Sequence, residues 1–329
     1  MENIDYSVVI RTTGKANEKY KKLLKSIYNL SPRPYEVIVV LPEGYSLPQQ
    51  KLGWERFEFC KKGMVIQRLH GMNVCNTRYA LFCDDDVEFN SDFVSKLYFP
   101  LSNLDLAFST GPLYDFLPCG LRESIVTAIS GSACPTLFHK RNYCTVLNTS
   151  GYAYNRRLNH TKIYYAQSMP WTCFFADVEK MRKVYMEDEI IWLDRNGYGA
   201  MDDLTMFYKA YLLGLRTIVV PEALYIHNDA RTSSKNNQSN VTYALGFNRV
   251  VFWHRFLYSQ KKSFFSKTWS KLCFRYNLLG RLIISFFTCL LRAQSVTGYK
   301  VFRKGYRDGF DYINDLEYKS LPNVWRKIE

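Results

Sequence analysis

The chain has 329 residues, of which 47% are hydrophobic, 16% aromatic and 22% charged. That length suits one large domain or two modest ones. The high aromatic content excludes a disordered chain, and only 17 glycines and 11 prolines exclude collagen-like and low-complexity sequences. The composition therefore predicts a folded protein with a sizeable core.

The formal net charge of +14 is concentrated in the C-terminal third of the chain. Residues 231–329 contain 18 lysines and arginines against five acidic residues, whereas residues 1–230 contain 26 against 25. Such a basic region favours phosphate-bearing partners, namely nucleic acid, an anionic membrane surface or a phosphorylated substrate. Because the polar segment 231–240 separates the two parts, we expect a domain over 1–230 and a basic region over 231–329.

The nine cysteines are scattered and form no C-x-x-C pair. This spacing disfavours a zinc ribbon and a thioredoxin-type site. The N-terminal sequence MENIDYSVVI lacks the basic stretch and apolar run of a signal peptide. We therefore expect reduced thiols and a cytoplasmic protein.

Two short apolar runs near the N-terminus predict a parallel β-α-β unit. Tyr6–Thr12 and Glu36–Leu41 are rich in β-branched residues and are typical of buried strands. Between them, residues 17–30 place apolar side chains at helical spacing among lysines, which indicates an amphipathic helix. A crossover of this length joins parallel strands.

The alternation of strands and helices continues to about residue 110 and returns after residue 200. The spacing predicts helices at 62–76, 91–101 and 202–213, and strands at 79–83, 105–109 and 215–220. Residues 111–170 have no clear periodicity and predict loops, short strands and a substrate-facing insert. The order indicates an open, mostly parallel, Rossmann-like α/β sheet flanked by helices.

After residue 240 the sequence is mainly helical, and one segment is both apolar and basic. Apolar residues recur at alternating spacings of four and three at Phe265, Trp269, Leu272, Tyr276, Leu279, Ile283, Phe286 and Leu290. Lys267, Lys271 and Arg275 lie on another face, and Asn277 and Gly280 predict an interruption. The pattern predicts one basic amphipathic helix or a broken pair.

This segment has two interpretations that the pattern supports equally. Its longest uncharged apolar stretch, Leu282–Leu291, has ten residues, whereas crossing a bilayer takes about 20. The helix either packs on the preceding domain with its lysines in solvent, or lies in a membrane interface.

Three adjacent carboxylates follow the predicted strand at 79–83. Asp84, Asp85 and Asp86 repel one another, and a bound cation would neutralise them. The carboxyl ends of strands form the ligand crevice of such sheets, and in an extended backbone Asp84 and Asp86 point to the same side. Oxygen ligands suit Mg²⁺ or Mn²⁺, which would in turn hold a diphosphate. The alternative is a solvated acidic turn that caps the next helix.

Two further candidates lie in the second half of the domain. Asp202 and Asp203 begin a predicted helix, where one of them suits a capping role and the other is a candidate general base. His227 follows a strand and is a candidate third metal ligand, although a single histidine is more often structural.

Taken in order, these motifs resemble the inverting family-2 glycosyltransferases, which have the GT-A fold. The resemblance covers roughly residues 6–255 and rests on SVVIRT, EVIVV, QRLHG, LFCDDDVEF and MDDLTMFYKAYLLGLRTIVVPEALYIH. The order of aspartate triplet, tryptophan, aspartate pair and histidine is similar to that of galactofuranosyl- and rhamnosyl-type transferases. No single motif is specific, but their order and spacing are typical of the family.

On the donor side, the resemblance implies a D-x-D metal motif at Asp84 and Asp86, with His227 as a third ligand. Residues that would contact the nucleotide-sugar are Arg11, Thr12, Glu43, Arg68, Asp84 and Asp85. Glu43 stands where the family usually has the first aspartate of Asp-Asp-Gly-Ser, so recognition of the base departs from the family pattern.

On the acceptor side, the resemblance implies that Asp203 is the catalytic base. Asp202 replaces the glutamate of the family's Glu-Asp pair and is expected beside the acceptor. Trp171 stands where acceptor-contacting residues precede the base and would stack on a sugar, although a core position suits it nearly as well.

The function implied is metal-dependent, inverting transfer of a sugar from a nucleotide-diphosphate donor to a hydroxyl of a glycan or lipid-linked glycan, in cell-surface polysaccharide synthesis. Mn²⁺ or Mg²⁺ would be the cofactor, and UDP is favoured over dTDP and GDP. The domain would divide into a nucleotide-sugar half (1–110) and an acceptor half (111–230). The basic region would contact the anionic inner face of the cytoplasmic membrane.

Three other classes of protein would explain part of this sequence. A nucleotidyltransferase acting on a sugar phosphate would use a similar sheet and acidic metal site, would release diphosphate and would not need a base at Asp203. A nucleic-acid-binding protein would account for the charge but not for the acidic motifs, and no binding module for nucleic acid is recognisable. A sugar-binding protein with an inactive site would have less reason to keep all the acidic positions.

Overall fold

The computed structural model describes residues 4–112, 142–151, 153–155, 161–228, 238–291 and 295–325. Within these residues the chain forms a ten-stranded mixed sheet flanked by helices, a separate two-stranded ribbon and a helical C-terminal region. The expected α/β class and the helical C-terminal region are therefore confirmed.

The described strands are short, with three to seven residues each. They are β1 (Tyr6–Arg11), β2 (Glu36–Pro42), β3 (Arg56–Cys60), β4 (Tyr79–Asp84), β5 (Val87–Phe89), β6 (Phe108–Thr110), β7 (Tyr143–Leu147), β8 (Ala153–Asn155), β9 (Tyr164–Ala166), β10 (Cys173–Asp177), β11 (Thr217–Val219) and β12 (Tyr225–His227).

The described helices have between four and 27 residues, and the longest lies in the C-terminal region. They are α1 (Glu18–Tyr28), α2 (Met64–Val74), α3 (Phe93–Asn103), α4 (Val178–Arg182), α5 (Ile190–Leu193), α6 (Asp202–Leu212), α7 (Gln238–Phe252), α8 (Phe264–Leu290), α9 (Val296–Tyr312) and α10 (Leu316–Lys319). A 3₁₀ turn at Met186–Glu189 precedes α5, and a π-helical segment, Trp253–Tyr258, continues α7.

The strand order of the large sheet is β3-β2-β1-β4-β10-β6-β11-β9-β7-β8. Strands β3, β2, β1 and β4 are parallel, as the β-α-β pattern predicts. Strand β10 lies between β4 and β6 and is antiparallel to both. The ribbon pairs β5 with β12, so that the segment after the aspartate triplet lies beside the segment containing His227.

The sheet separates two hydrophobic layers because successive side chains of a strand point to opposite faces. On β1, Val8 and Ile10 contribute to the layer with α1 and α3, and Val9 to the layer with α2, α6 and α7. In such a two-layer core, almost all residues of the central strands β1, β4, β10 and β6 are buried.

Helix α2 approaches the sheet closely at Gly71. A Cβ atom at this position would lie 2.3 Å from a Val9 methyl and 3.2 Å from a Val40 methyl. The glycine of the QRLHG motif therefore allows the helix to pack against β1 and β2. This contact determines the position of the other α2 side chains relative to the sheet.

Several sequence-based expectations differ from the structure. The expected interruption at Asn277 and Gly280 is wrong, because both residues are buried inside the continuous helix α8. Strand β3 and the antiparallel β10 were not predicted, since neither shows a distinct pattern of its own. Much of the expected insert, residues 113–141, lies outside the described residues.

Within the C-terminal region, helices α7 and α9 approach closely where Gly246 and Gly305 face each other's backbone. The region also packs directly on the sheet domain. Glu189, which is fully buried, accepts hydrogen bonds from Lys209 Nζ (2.8 Å) on α6 and Arg255 Nε (2.6 Å) on the π-helical segment. These charged contacts connect residues on both sides of the boundary expected near 231–240.

Candidate active site

The candidate site begins where β1 and β4 end side by side. Arg11 and Asp84 are direct partners in the parallel register of these strands. The Arg11 Nε–H donates to Asp84 Oδ1 over 3.0 Å. The site therefore lies at the carboxyl edge of the parallel strands, the edge at which α/β sheets bind ligands.

The next residue of each strand extends this contact. The Thr12 hydroxyl donates to Asp85 Oδ2 over 2.6 Å, in a position where both residues are buried. Gln67 Nε2 on α2 donates to the backbone carbonyls of Thr12 and Val40, each over 3.1 Å. These bonds fix the ends of β1 and β2 relative to α2.

Arg68 joins the two acidic motifs of the sequence. One of its terminal nitrogens donates to Asp84 Oδ1 (2.8 Å) and the other to Asp202 Oδ2 (2.7 Å). Its guanidinium also lies over the Trp171 ring, 4.7 Å from the centroid, and donates to the Trp171 carbonyl (3.0 Å). Arg68 is only 4% exposed, so it acts as a buried bridge between the strand end and the start of α6.

Helix α2, which carries Arg68, is capped by a distant residue. The Asp194 carboxylate accepts hydrogen bonds from the backbone N–H groups of Met64, Val65 and Ile66, at distances from 3.1 to 3.4 Å. A carboxylate at a helix N-terminus satisfies the unpaired N–H groups and is favoured by the helix dipole.

The start of α6 places Asp202 and Asp203 at the same edge. Met201 precedes them with φ at +70°, a left-handed conformation that non-glycine residues rarely adopt and that clusters at functional sites. The Asp203 Oδ1 atom accepts a hydrogen bond from the Leu204 backbone N–H over 2.6 Å. Burial and the adjacent charge of Asp202 raise the pKa of Asp203 to about 7.

The acidic residues have different proton affinities for physical reasons. Burial by itself raises the pKa of Asp84, but the charges of Arg11 and Arg68 outweigh burial and hold that pKa below its ordinary value. Asp85 has only its Thr12 hydrogen bond and a more distant arginine charge against burial, so its pKa rises to about 6. Burial also raises the pKa of Asp202.

Asp86 and His227 are brought together by the β5–β12 ribbon. Asp86 Oδ1 lies 3.2 Å from His227 Nε2, and the Asn228 backbone N–H donates to the Asp86 carbonyl over 2.8 Å. An oxygen and an imidazole nitrogen are donors that suit Mn²⁺ and related cations. Two of the three expected metal ligands thus converge, while Asp84 binds arginines. Within the described ranges, no group of three or more His, Cys, Asp or Glu side chains has a metal-binding arrangement.

Two further expected site residues are Trp171, which contacts Arg68 from a core position, and Glu43, which lies on the surface. Trp171 is 3% exposed and packs against Phe174 and Arg68, which is a core position. Glu43 is exposed in the turn after β2. Their roles at the acceptor and at the nucleotide base stay predictions.

Sequence reasoning did not identify Gln67 and Asp194. Gln67 directly precedes the motif arginine, Arg68, and its position in the same motif could have indicated a residue of the site. Asp194 lies about 130 residues from the helix that it caps, and nothing in the local sequence indicates that contact.

No protein family is matched by this sequence, and no curated protein sequence matches it. Known structures do resemble the chain. It is similar to GalNAc-T7 in a crystal structure with UDP, GalNAc and Mn²⁺, with 13% identity and a TM-score of 0.51 over 84% of this chain and 56% of that one. It is also similar to S. aureus TarS 1–349 in complex with UDP-GlcNAc, with 10% identity and a TM-score of 0.50, over 97% and 82% of the two chains.

These similarities define the fold as that of GT-A glycosyltransferases. The chain spans little more than half the length of the GalNAc-T7 chain. At sequence identities of 10–13%, the similarities establish the fold and not the function. The substrates of the two neighbours are therefore properties of those proteins.

Proposed function

We propose that the chain is a metal-dependent, inverting glycosyltransferase that uses a nucleotide-diphosphate sugar, with UDP favoured. Its acceptor would be a hydroxyl of a glycan or lipid-linked glycan. The observation that carries the proposal is the Asp84–Arg68–Asp202 bridge, because it joins the end of β4 to the start of α6 at one edge of the sheet. The bridge thereby holds the donor-side motif beside Asp202, which directly precedes the candidate base Asp203.

The raised pKa of Asp203 supports its role as the base. A carboxyl group with a pKa of about 7 is about half ionised at neutral pH, and its ionised form has a useful affinity for a proton. Asp203 takes the proton of the acceptor hydroxyl while the acceptor oxygen forms a bond to C1 of the donor sugar. The bond from C1 to the diphosphate oxygen breaks on the opposite face, and the single displacement inverts the anomeric centre.

Arg11 and Arg68 place two cations on the donor side, where the leaving diphosphate gains negative charge. Asp86 and His227 would hold the divalent cation, Mn²⁺ or Mg²⁺. When bound, this cation supplies Lewis-acid stabilisation of the diphosphate. Crystallisation of the neighbouring GalNAc-T7 with Mn²⁺ supports this choice of cation.

The test is transfer from nucleotide-sugars to glycan acceptors. The purified protein is incubated with Mn²⁺, a UDP-, dTDP- or GDP-sugar and an acceptor mixture; nucleotide release is quantified, and the anomeric configuration of the product is determined by NMR. We expect release of a nucleoside diphosphate, an inverted product and loss of both with Asp203→Asn. Asp105→Asn, at an exposed position away from the site, is the matched control.

Two results would contradict the proposal. A product with retained configuration would exclude the single displacement at Asp203. Release of inorganic diphosphate from a nucleoside triphosphate and a sugar 1-phosphate, unaffected by Asp203→Asn, would identify a nucleotidyltransferase instead.

A further inference from the structure

Helix α8 exposes a continuous apolar stripe to solvent. The stripe is defined by residues at alternating spacings of four and three, which fall on one helical face. Their exposed fractions range from 42% to 83%, and the members are Phe265, Trp269, Leu272, Tyr276, Leu279, Ile283, Phe286 and Leu290. Exposed apolar patches of this extent mark interaction surfaces.

The buried side of the same helix is more polar than its exposed side. Ser270, Asn277, Gly280 and Ser285 are buried, together with the adjacent Cys273 and Phe274. An amphipathic helix on the surface of a soluble protein has the reverse arrangement, with its apolar stripe facing the core. The exposed apolar face of α8 therefore suits an apolar environment outside the protein.

Contacts on the buried side hold the N-terminal half of α8 against the rest of the chain. The rings of Trp253 and Phe274 stack at 4.3 Å, and Trp253 Nε1 donates to Ser270 Oγ over 3.1 Å. The Ser270 hydroxyl in turn donates to the Thr149 carbonyl over 3.4 Å. By length and composition alone, α8 is the one described helix that would be able to cross a membrane. With one side packed on protein, it is instead suited to lie along a surface.

The charges around the stripe are positive. Lys271 and Arg275 are exposed on α8, whereas Lys267 is half-buried with its Nζ 5.9 Å from the centroid of the Tyr258 ring. No acidic residue occurs from Gln238 to Arg307. Helix α9 adds the exposed Lys300 and Arg303, while Lys304 and Arg307 pair with Asp308. Such a combination of apolar and basic side chains complements an anionic lipid surface, where each basic residue near the surface contributes about 1 kcal/mol.

We propose that the stripe of α8 docks on an anionic lipid surface. Trp269 and the neighbouring apolar side chains enter the boundary between headgroups and acyl chains, while Lys271 and Arg275 contact lipid phosphates. A second copy of the chain is the less suitable occupant, because two α8 helices would bring like charges together without acidic partners. Lipid docking does not require transferase activity, so this inference and the proposed function fail separately.

The test is co-sedimentation of the full chain with vesicles. Vesicles of phosphatidylcholine alone are compared with vesicles that also contain phosphatidylglycerol, at low and high salt. We expect binding to the anionic vesicles, weakened by salt, and a loss of at least about tenfold with Lys271→Glu and Arg275→Glu combined. The matched control reverses the charge of two exposed lysines elsewhere, Lys21→Glu and Lys183→Glu, and is expected to bind like the wild type.

A second variant separates the apolar contribution from the charge. Phe265→Ser, Trp269→Ser and Leu272→Ser combined should abolish vesicle binding and leave the melting temperature unlowered, because these side chains are exposed. Three results would overturn the inference. The first is equal vesicle binding by the α8 charge-reversal variant and its control, and the second is unchanged vesicle binding by the serine variant. The third is a wild-type dimer in light scattering that the serine variant dissociates, while no form of the protein binds vesicles.

Discussion

At the scale of single residues, Arg68 decides how the site is assembled. The sequence identified this arginine and both aspartates, because each lies in a motif at a strand end or helix start. It did not reveal that one guanidinium holds both carboxylates, since residues 68, 84 and 202 come together only through the packing of α2 on the sheet. The separate pairing of Asp86 with His227 depends in the same way on the β5–β12 ribbon.

The first prediction concerns the ionisation of Asp203. Because the base must be ionised and its pKa is about 7, kcat/KM should rise tenfold per pH unit below pH 7 and level off above it. Asp203→Asn should lower kcat by about 10²- to 10⁴-fold. The measurement is the rate of nucleotide release between pH 5 and pH 9, with an activity that is independent of pH as the contradicting result.

The same shift has a consequence for stability. In the unfolded chain an aspartate titrates near pH 4, whereas Asp203 in the folded chain titrates at about 7. Ionisation of Asp203 therefore destabilises the folded state as the pH rises through this window, and the effect is absent below it. Asp203→Asn should raise the melting temperature at pH 8 and leave it unchanged at pH 4, which shows that lost activity is not lost folding.

The second prediction tests the Arg68 bridge. Arg68→Ala leaves Asp84 and Asp202 buried without their shared cation, which should lower the free energy of unfolding by about 3–5 kcal/mol at neutral pH. Arg56→Ala removes an arginine from a partly exposed ion pair and should cost about 1 kcal/mol or less. Equal urea midpoints for the two variants would contradict a buried bridge.

At the scale of secondary-structure elements, the sequence predicts the parallel half better than the antiparallel half. Strands β1, β2 and β4 are buried on both faces and read as continuous apolar runs. Strand β10 is equally buried, but its partners β4 and β6 are far from it in sequence, and no local signal reveals its direction. In helix α8 a local signal is present but misleading. Asn277 and Gly280 indicate a break in the helix, whereas both residues are buried inside one continuous helix.

The third prediction tests the approach of α2 to the sheet. Gly71→Ala adds a Cβ atom 2.3 Å from a Val9 methyl, so β1 and α2 must move apart. This overpacking should cost about 1–3 kcal/mol of stability despite the better helix propensity of alanine. Asn73→Ala on the exposed side of the same helix is the control and should be neutral or stabilising. Equal thermal stability of the two variants would contradict the close packing.

At the scale of the whole molecule, a nearly neutral sheet domain carries a basic helical region. The charge division is visible in the sequence, but the buried contact between the two parts is not. Glu189 accepts hydrogen bonds from Lys209, Arg255 and Trp192, and it has no accessible surface. The charges of Lys209 and Arg255 outweigh burial and hold the pKa of Glu189 below its ordinary value.

The fourth prediction follows from this network. Glu189→Ala leaves two cations buried and should lower stability by about 3–5 kcal/mol, with both parts unfolding in one transition. Glu187→Ala, two residues earlier and exposed, should change stability little. Unfolding in urea is followed by circular dichroism and tryptophan fluorescence, and two separate transitions would contradict a shared core.

The proposed function requires that the edge formed by β1, β4 and α6 binds a nucleotide-sugar through a divalent cation. The most direct test is calorimetric titration of UDP into the wild type and Asp86→Ala, with and without Mn²⁺, and with Asp92→Ala as the control at an exposed acidic position. We expect Mn²⁺-dependent binding to the wild type and to Asp92→Ala, and loss of that binding with Asp86→Ala. Binding that is the same in all three proteins, or no binding of UDP, dTDP or GDP to any of them, would contradict the proposed function.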